Sequence, residues 1–546
     1  MKLRVLKKII KLLYGLSNFN GKPFRFLYET EYKKHLVSGD VEESEHIERV
    51  NPEVTGLSSS YLNSYFRELQ SINGIVAHSI AVTRYGKLVA TFDTYPYDGA
   101  LWHTSFSMAK SVVGLAVGIA IDEGYMSEKS TIGELVDFSK YKITPDKDVL
   151  NCTVKELLSM TARVNYGEDG ALVEADWLKG FMEAGRKKGD GFIYNSMCTF
   201  VLAFLVGERT GVGFSEYVTD KLFQPLGIKR AYFEKNAKGY EKGGFGLLIT
   251  VEDMAKLGNL VLNYGEYNGK RIVSEDYVRK SVSVQAKVPD YVSNYNYGYQ
   301  TWIKDDGSLY SFNGMFGQNV FIFPRTGVVV AVTGGDDDMF HTNPIFELTC
   351  KYFADLNYLP KEIERASRDS NTLTIEEFEG KKYSFGKDAS RIGLMPIVSG
   401  VFQGVYPSGL VSLSFKDGNM IIEENDSTYV IPLRVEASRQ IVDISGDRYE
   451  IATIAKNVGK SLVINVYFLE LASMREITVT QSDTGVTLSW SETPGEGFLK
   501  GGRRMVLEAV KDKKFLAWLI SRRHAWLWRR VRKTLSPKVE GKLVNR

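Results

Sequence analysis

The sequence predicts an α+β domain whose antiparallel sheet draws strands from both ends of residues 49–365 around a helical centre, followed by a smaller all-β domain over residues 370–500. Three patterns carry this prediction. The runs HSIAVTRYGKLVATFD, starting at His78, and NVFIFP with GVVVAVTG, between Asn319 and Gly334, cluster β-branched and aromatic residues between turn glycines. From Thr104 onward, apolar helical spacing and repeated helix starts take over. After residue 372, short runs such as YSFG, VSLSFKDGNMIIEE, TYVIPL, LVINVYFLE and GVTLSW alternate with turn residues, the pattern of a sandwich or small barrel.

The chain has 546 residues, 44% of them hydrophobic, which is enough apolar material for two cores and excludes disordered and fibrous classes. Cys152, Cys198 and Cys350 are far apart and odd in number, which argues against a disulfide framework or a multi-thiolate zinc site and for a reducing, cytoplasmic setting. The longest strongly apolar run, Val112–Ile121, is too short to cross a bilayer and reads as a buried helix.

Residues 1–48 read as a basic amphipathic arm and linker. Leu3, Leu6, Ile10 and Leu13 follow helical spacing, while Lys2, Arg4, Lys7, Lys8 and Lys11 face no acid in the first 16 residues. SSYLNSYFREL (59–69) is the first helix of the α+β domain, and Tyr85–Gly86 is the turn of a hairpin. TVKE at Thr153 and TVED at Thr250 have the spacing of helix N-caps. YGYQTWI at Tyr297 is expected as a strand, and a charged helix is expected near 342–368. Residues 503–546 hold 14 Lys or Arg against Glu508, Asp512 and Glu540, with Trp518, Trp526 and Trp528 interleaved. Both arms are therefore basic around an acidic body.

The motif that points to chemistry is SFSMAKS, in which Ser107 and Lys110 lie three apart, on one face at the start of the apolar helix SVVGLAVGIAID. A serine hydroxyl becomes a nucleophile when a base takes its proton, and a lysine does this when burial lowers its pKa. Alone, Ser-x-x-Lys is an ordinary helix start that a chain of this length contains roughly two or three times by chance. Tyr194, ahead of Asn195, Ser196 and another apolar helix, adds a phenol that can act as base or relay a proton to a leaving group. Either Lys110 or Tyr194 fits the role of base. In SFNGMFGQNVFIFP, Gly314, Gly317 and Gln318 allow close approach of backbone to a ligand, where a strand N–H and that of Ser107 would make an oxyanion hole.

Together these motifs resemble the serine β-lactamase-related hydrolases: class C β-lactamases, family VIII esterases, D-amino-acid peptidases and nylon-oligomer hydrolases. The resemblance covers roughly residues 70–340. It includes TVKELLSMTA at Thr153, the stretch from Tyr194 through PLGI at Pro225, GGFGLLITVEDMAKLG at Gly243 and YGYQTWI at Tyr297. It is similar above all to the nylon-oligomer hydrolase and esterase branch. The resemblance implies a β-lactamase/transpeptidase-like domain with an inserted helical lobe, Ser107 as acylated nucleophile, and Lys110 and Tyr194 as the proton-handling pair. It also implies a substrate-binding role for Ser196 at the third position of the Tyr-x-Asn motif and an oxyanion donor at the N–H near Met315. Two departures stand out. Ser196 replaces asparagine, and Phe312, Asn313 and Gly314 replace the Lys-Thr-Gly or His-x-Gly triplet, removing the cation that would hold a substrate carboxylate.

The function expected is a serine hydrolase acting on a small ester or amide through an acyl-enzyme on Ser107, without cofactor or metal. The alternatives are a D-amino-acid peptidase or β-lactamase-like activity, and a catalytically silent scaffold or membrane-surface binding protein. Asp336, Asp337, Asp338 and His341 form a carboxylate-rich cluster whose adjacent side chains do not converge on one ion without an unusual loop. His103 reads as a helix cap or pocket-lining residue. No Walker loop, Gly-x-Gly-x-x-Gly after a strand, or His-Glu-x-x-His occurs. The basic arms favour an anionic membrane surface, at the inner face of the membrane, or docking on the acidic body, over nucleic acid.

Overall fold

The structure is a computed structural model and describes residues 3–17, 22, 28–337, 343–360, 373–495, 497, 499 and 528–544. The chain forms two compact units, one built on Ser38–Arg365 and the other on Ala366–Arg546 with Leu3–Glu29 and Lys33–Val37.

The first unit takes shape around strands β1 (Ala77–Arg84) and β2 (Lys87–Asp93), joined at Tyr85 and Gly86, both with positive φ as a two-residue hairpin turn of this hand requires. Three short strands, β3 (His103–Thr104), β4 (Ala231–Phe233) and β5 (Leu247–Ile249), form a separate small sheet in the order β3-β5-β4. A small hairpin pairs β6 (Glu266–Tyr267) with β7 (Lys270–Arg271). The last strands are β8 (Asn296–Tyr297), β9 (Trp302–Ile303), β10 (Tyr310–Gly314), β11 (Gln318–Phe323) and β12 (Val328–Gly334).

The main sheet has the order β2-β1-β12-β11-β10-β9-β8, antiparallel throughout, with Ala81 opposite Ala331 and Val82 opposite Val330. The two ends of the unit thus meet in one sheet, as the strand patterns predict. β1 and β12 are buried almost along their length because helices cover both faces. Side chains alternate across a strand. Gly258 of the helix Val251–Leu262 lies on Val320 and Val329, whereas Phe321 meets Phe346 of the helix Pro344–Phe353 edge-on at 4.9 Å.

Between β3 and β5 the chain builds the helical lobe. The helices Ala109–Asp122 and Ser196–Thr210 pack on each other and are apolar nearly all round, as buried helices must be. Thr153 and Glu156 form a reciprocal capping box, and Thr250 accepts the N–H of Asp253. Two expectations need correction. YGYQTWI is not one strand: Gln300 takes a φ of 54° and sinks its amide into the lobe, donating to Leu157 O and Leu158 O while accepting from Thr199, which splits the run into β8 and β9. The helix expected near 342–368 spans Pro344–Phe353, and residues 361–372 lie outside the described ones.

The second unit is a ten-stranded antiparallel sheet of β13 (Lys382–Phe385), β14 (Leu410–Lys416), β15 (Asn419–Glu424), β16 (Thr428–Pro432), β17 (Ser438–Ile444), β18 (Asp447–Val458), β19 (Ser461–Phe468), β20 (Met474–Ser482), β21 (Gly485–Thr493) and β22 (Lys538–Leu543). Its order is β16-β15-β14-β13-β22-β21-β20-β19-β18-β17. The edge strands β16 and β17 approach each other without a ladder, Gln440 Nε2 donating to Val430 O at 3.0 Å, so the sheet is a near-barrel. β22 comes from the segment read as a basic arm and pairs with both β13 and β21.

Residues 33–37, read as linker, also belong to this unit. The buried Lys34 donates to Leu36 O, Arg448 O and Glu470 Oε2 at 2.7, 2.6 and 3.2 Å. The amphipathic helix is present as Leu3–Ser17, whereas Trp518 and Trp526 lie outside the described residues. Among the described residues, no single helix is long and apolar enough to cross a membrane.

Candidate active site

Ser107 sits where the small sheet hands over to the helical lobe. β3 is tied to β5, and Ser105, just beyond β3, donates its N–H and hydroxyl to Leu247 O at 2.8 and 2.7 Å. Phe106 then takes a left-handed φ of 46°, an unfavourable conformation for a side chain of this size. A single 3-10 turn, Phe106–Met108, leads directly into the helix Ala109–Asp122. Ser107 is consequently half-buried at a helix N-terminus, where the peptide dipoles favour developing negative charge.

One helical turn on, Lys110 is only 2% exposed. Its Nζ donates to Ser107 Oγ at 2.9 Å and to Gly244 O at 2.6 Å. Burial among the apolar faces of the lobe pulls the Lys110 ammonium down to about 7, and the charge of Glu168 works in the opposite direction. Gly244 comes this close because it has no side chain: a Cβ there would stand 2.5 Å from Ser196 O.

Tyr194 immediately precedes Asn195, which caps the helix Ser196–Thr210 by accepting the N–H of Met197 at 2.9 Å. Its ring is stacked on Trp302 at 5.7 Å, lies edge-on to Tyr297 at 6.4 Å, and has Lys110 Nζ 5.0 Å from its centroid. Burial drives the Tyr194 phenol pKa upward, and the nearby Ser107 side chain partly offsets the rise. Ser107, Lys110 and Tyr194, spread over 88 residues of chain, are thus brought together. Ser196 contributes its backbone, the N–H donating to Glu168 Oε1 at 2.6 Å.

The third wall is the turn from β10 to β11. A Cβ on Gly314 would lie 2.2 Å from Ser105 O and 3.2 Å from Met108 N, so the end of β10 runs against the backbone of the Ser107 turn. Met315 opens the turn beside it, and Phe316 takes a φ of 63°. The rings of Phe106 and Phe316, both on left-handed backbone, meet edge-to-face at 5.2 Å. Gln318 fastens the turn: Nε2 donates to Phe316 O at 2.9 Å and Gly334 O at 2.7 Å, and Oε1 accepts the N–H of Gly334 at 3.2 Å. At the departed triplet, the Asn313 amide donates to Asn319 Oδ1 at 2.7 Å and is held within the sheet.

Other candidates fall elsewhere. His103 is buried, with Nε2 3.0 Å from His78 Nδ1 and Nδ1 3.0 Å from Thr104 O, and His78 stacks on Tyr97. Asp336 accepts from Val76 N–H and from Asn343 Nδ2, fastening the end of β12, while Asp338 and His341 lie outside the described residues. Among the described residues no group of three His, Cys, Asp or Glu side chains is placed to hold a metal. Sequence reasoning missed Glu168, whose one signal is the acid pair in NYGEDG, 26 residues before Tyr194.

A family model described as Beta-lactamase matches residues 62–339, and the chain belongs to that family. The chain is 27% identical over 259 residues to a 6-aminohexanoate-dimer hydrolase from Paenarthrobacter ureafaciens; the match covers 42% of this chain and 64%, just under two thirds, of that protein's length. It also aligns with a penicillin-binding protein from Bacillus halodurans at 18% identity and a TM-score of 0.40, over 50% of this chain and 93% of the other. A third likeness is to an octameric penicillin-binding protein homologue from Pyrococcus abyssi, at 18% identity and a TM-score of 0.41, over 81% of this chain and 98% of the other.

Proposed function

We propose that this chain is a serine hydrolase that cleaves a small ester or amide through an acyl-enzyme on Ser107. The observation that carries the reading is the 2.9 Å hydrogen bond between Ser107 Oγ and a fully buried Lys110. With its pKa held near 7, Lys110 is substantially neutral at physiological pH and able to take the proton of Ser107. The phenol of Tyr194, driven the other way, keeps its own proton. This favours Lys110 as base and Tyr194 as the relay that hands a proton to the leaving oxygen or nitrogen.

In the acylation step Ser107 Oγ attacks the carbonyl carbon as its proton passes to Lys110. The tetrahedral oxyanion is held by the N–H groups of Ser107 and Met315. Collapse breaks the bond to the leaving group, which departs with the proton delivered through Tyr194. Water then repeats the sequence on the ester, giving the acid and free Ser107.

The engagement of Asn313 within the sheet, together with the absence of Lys or His from the triplet, favours substrates without a carboxylate at that position over β-lactams or D-Ala-terminated peptides. Ser107→Ala should abolish covalent labelling by a fluorophosphonate, read by intact mass, with the melting temperature nearly unchanged. An adduct of equal yield on the variant would end the assignment.

A second proposal concerns the N-terminal helix Leu3–Ser17, which exposes Lys7, Lys8 and Lys11 together with Ile10 and Tyr14. This combination supports peripheral attachment to an anionic membrane surface.

A further inference from the structure

Glu168 stands in the short helical turn Glu168–Ala171, next to the two residues that follow Tyr194. Its Oε1 accepts the N–H of Ser196 at 2.6 Å, one of the donors that the start of the helix Ser196–Thr210 leaves without an intrahelical partner. Two residues earlier, Tyr166 O accepts Asn195 Nδ2 at 2.9 Å. The segment Tyr166–Glu168 therefore grips the chain at both positions after Tyr194 and fixes where that ring can lie over Lys110.

The groups that face Lys110 are few. Ser107 and Gly244 O accept its protons, and the Tyr194 ring lies beside it. Cys198 and Glu168 are the ionisable neighbours that act on it through space. Burial keeps the Cys198 thiol and the Tyr194 phenol protonated, and Asp169, next to Glu168, has its acid pushed up by burial and by the Glu168 charge. Among these groups Glu168 is the carboxylate whose charge favours the ammonium form of Lys110.

We infer that Glu168 is a positioning residue of this site, holding the Tyr194–Ser196 turn through Ser196 N–H and countering the positive charge of Lys110, so that it sets the pH range in which Ser107 is activated. The inference rests on the proposed serine-hydrolase reading. Its sign is fixed by electrostatics: a carboxylate nearby favours the ammonium over the amine. Removing the charge while keeping an acceptor for Ser196 N–H leaves Lys110 neutral down to lower pH, so the acid limb of Ser107 reactivity moves down.

The test is the second-order rate of fluorophosphonate labelling of the full chain between pH 5 and pH 9, for wild type, Glu168→Gln and Glu168→Asp. Glu168→Gln should shift the acid-limb midpoint down by about half a unit to one unit, so that labelling relative to the plateau rises about three- to tenfold at the acid end. A midpoint equal to wild type, whether or not the plateau drops, overturns the inference, because a merely structural role lowers the rate without moving the limb.

Glu168→Asp keeps the charge but shortens the reach to Ser196, and should keep the midpoint while lowering the plateau. If Glu168→Gln does not fold, a Glu168→Asp plateau equal to wild type overturns the inference and a lowered plateau with the wild-type midpoint supports it. Failure of the underlying reading is seen separately, as no labelling of wild type at any pH or labelling that survives Ser107→Ala.

Discussion

Lys110 places an amine that is ordinarily charged into a setting that favours its neutral form, and this has a stability consequence with a definite sign. Its folded pKa, about 7, lies below the unfolded value near 10.5. Below about pH 7 the group is protonated in both states and the full cost of burying the charge is present. As pH rises from about 7 towards 10.5 the folded state holds fewer protons than the unfolded one, so the cost is relieved and stability rises. Lys110→Met should therefore be more stable than wild type by roughly 1–3 kcal/mol near pH 6, with the gap shrinking toward pH 10. Denaturant melts at the two pH values check it, and a gap independent of pH would count against the buried amine. Ser107 and Lys110 were legible because they fall within one helical turn of one motif. Glu168 was not, since its bond to Ser196 spans 28 residues and depends on how two loops of the lobe meet.

At the scale of elements, the sheet strands were readable where β-branched residues dominated the run, as in β12, and misread where a polar side chain took over. Gln300 is the clear example: its amide is satisfied by Leu157 O, Leu158 O and Thr199, and the backbone turns left-handed to reach them. Nothing local in YGYQTWI announces those partners. Gln318 plays a similar part in the β10–β11 turn, and there the sequence motif did mark the spot, although it did not reveal that the side chain serves the backbone. Gln318→Ala would remove the acceptor of Gly334 N–H and a donor to Gly334 O, while Phe316 O keeps the N–H of Asp336, at a cost of about 1–3 kcal/mol for each buried group left unsatisfied. The turn beside Ser107 should loosen with it. We expect a drop in melting temperature together with a larger fractional loss of labelling rate than of folded protein at 25 °C; an unchanged labelling rate in folded variant would detach Gln318 from the site.

On the scale of the whole molecule, residues 62–339 account for the family match and for the candidate site, which leaves the near-barrel and the basic arms to other tasks. Lys7, Lys8 and Lys11 are exposed on the N-terminal helix, so replacing all three with Glu should cut co-sedimentation with phosphatidylserine-containing vesicles, most strongly at low salt where charges are least screened. Binding that ignores both the substitutions and the salt would remove the membrane proposal. The broad architecture of the near-barrel was readable from its alternating runs, but its strand order was not. Alternation says which face of a strand is buried and nothing about which neighbour it pairs with.

That order has a consequence for how the near-barrel is assembled during synthesis. Of the ten strands of this sheet β22 comes last in chain order, yet it sits between β13, which comes first, and β21. While translation is in progress, β13 to β16 and β17 to β21 can pair as hairpins within their own halves, but the seam between the halves stays open until residue 543 has left the ribosome. During that interval β13 and β21 each present an unpaired edge, the kind of surface on which strands of other chains add. The charged residues Lys538, Glu540 and Lys542 that alternate along β22 belong to the piece that closes this gap.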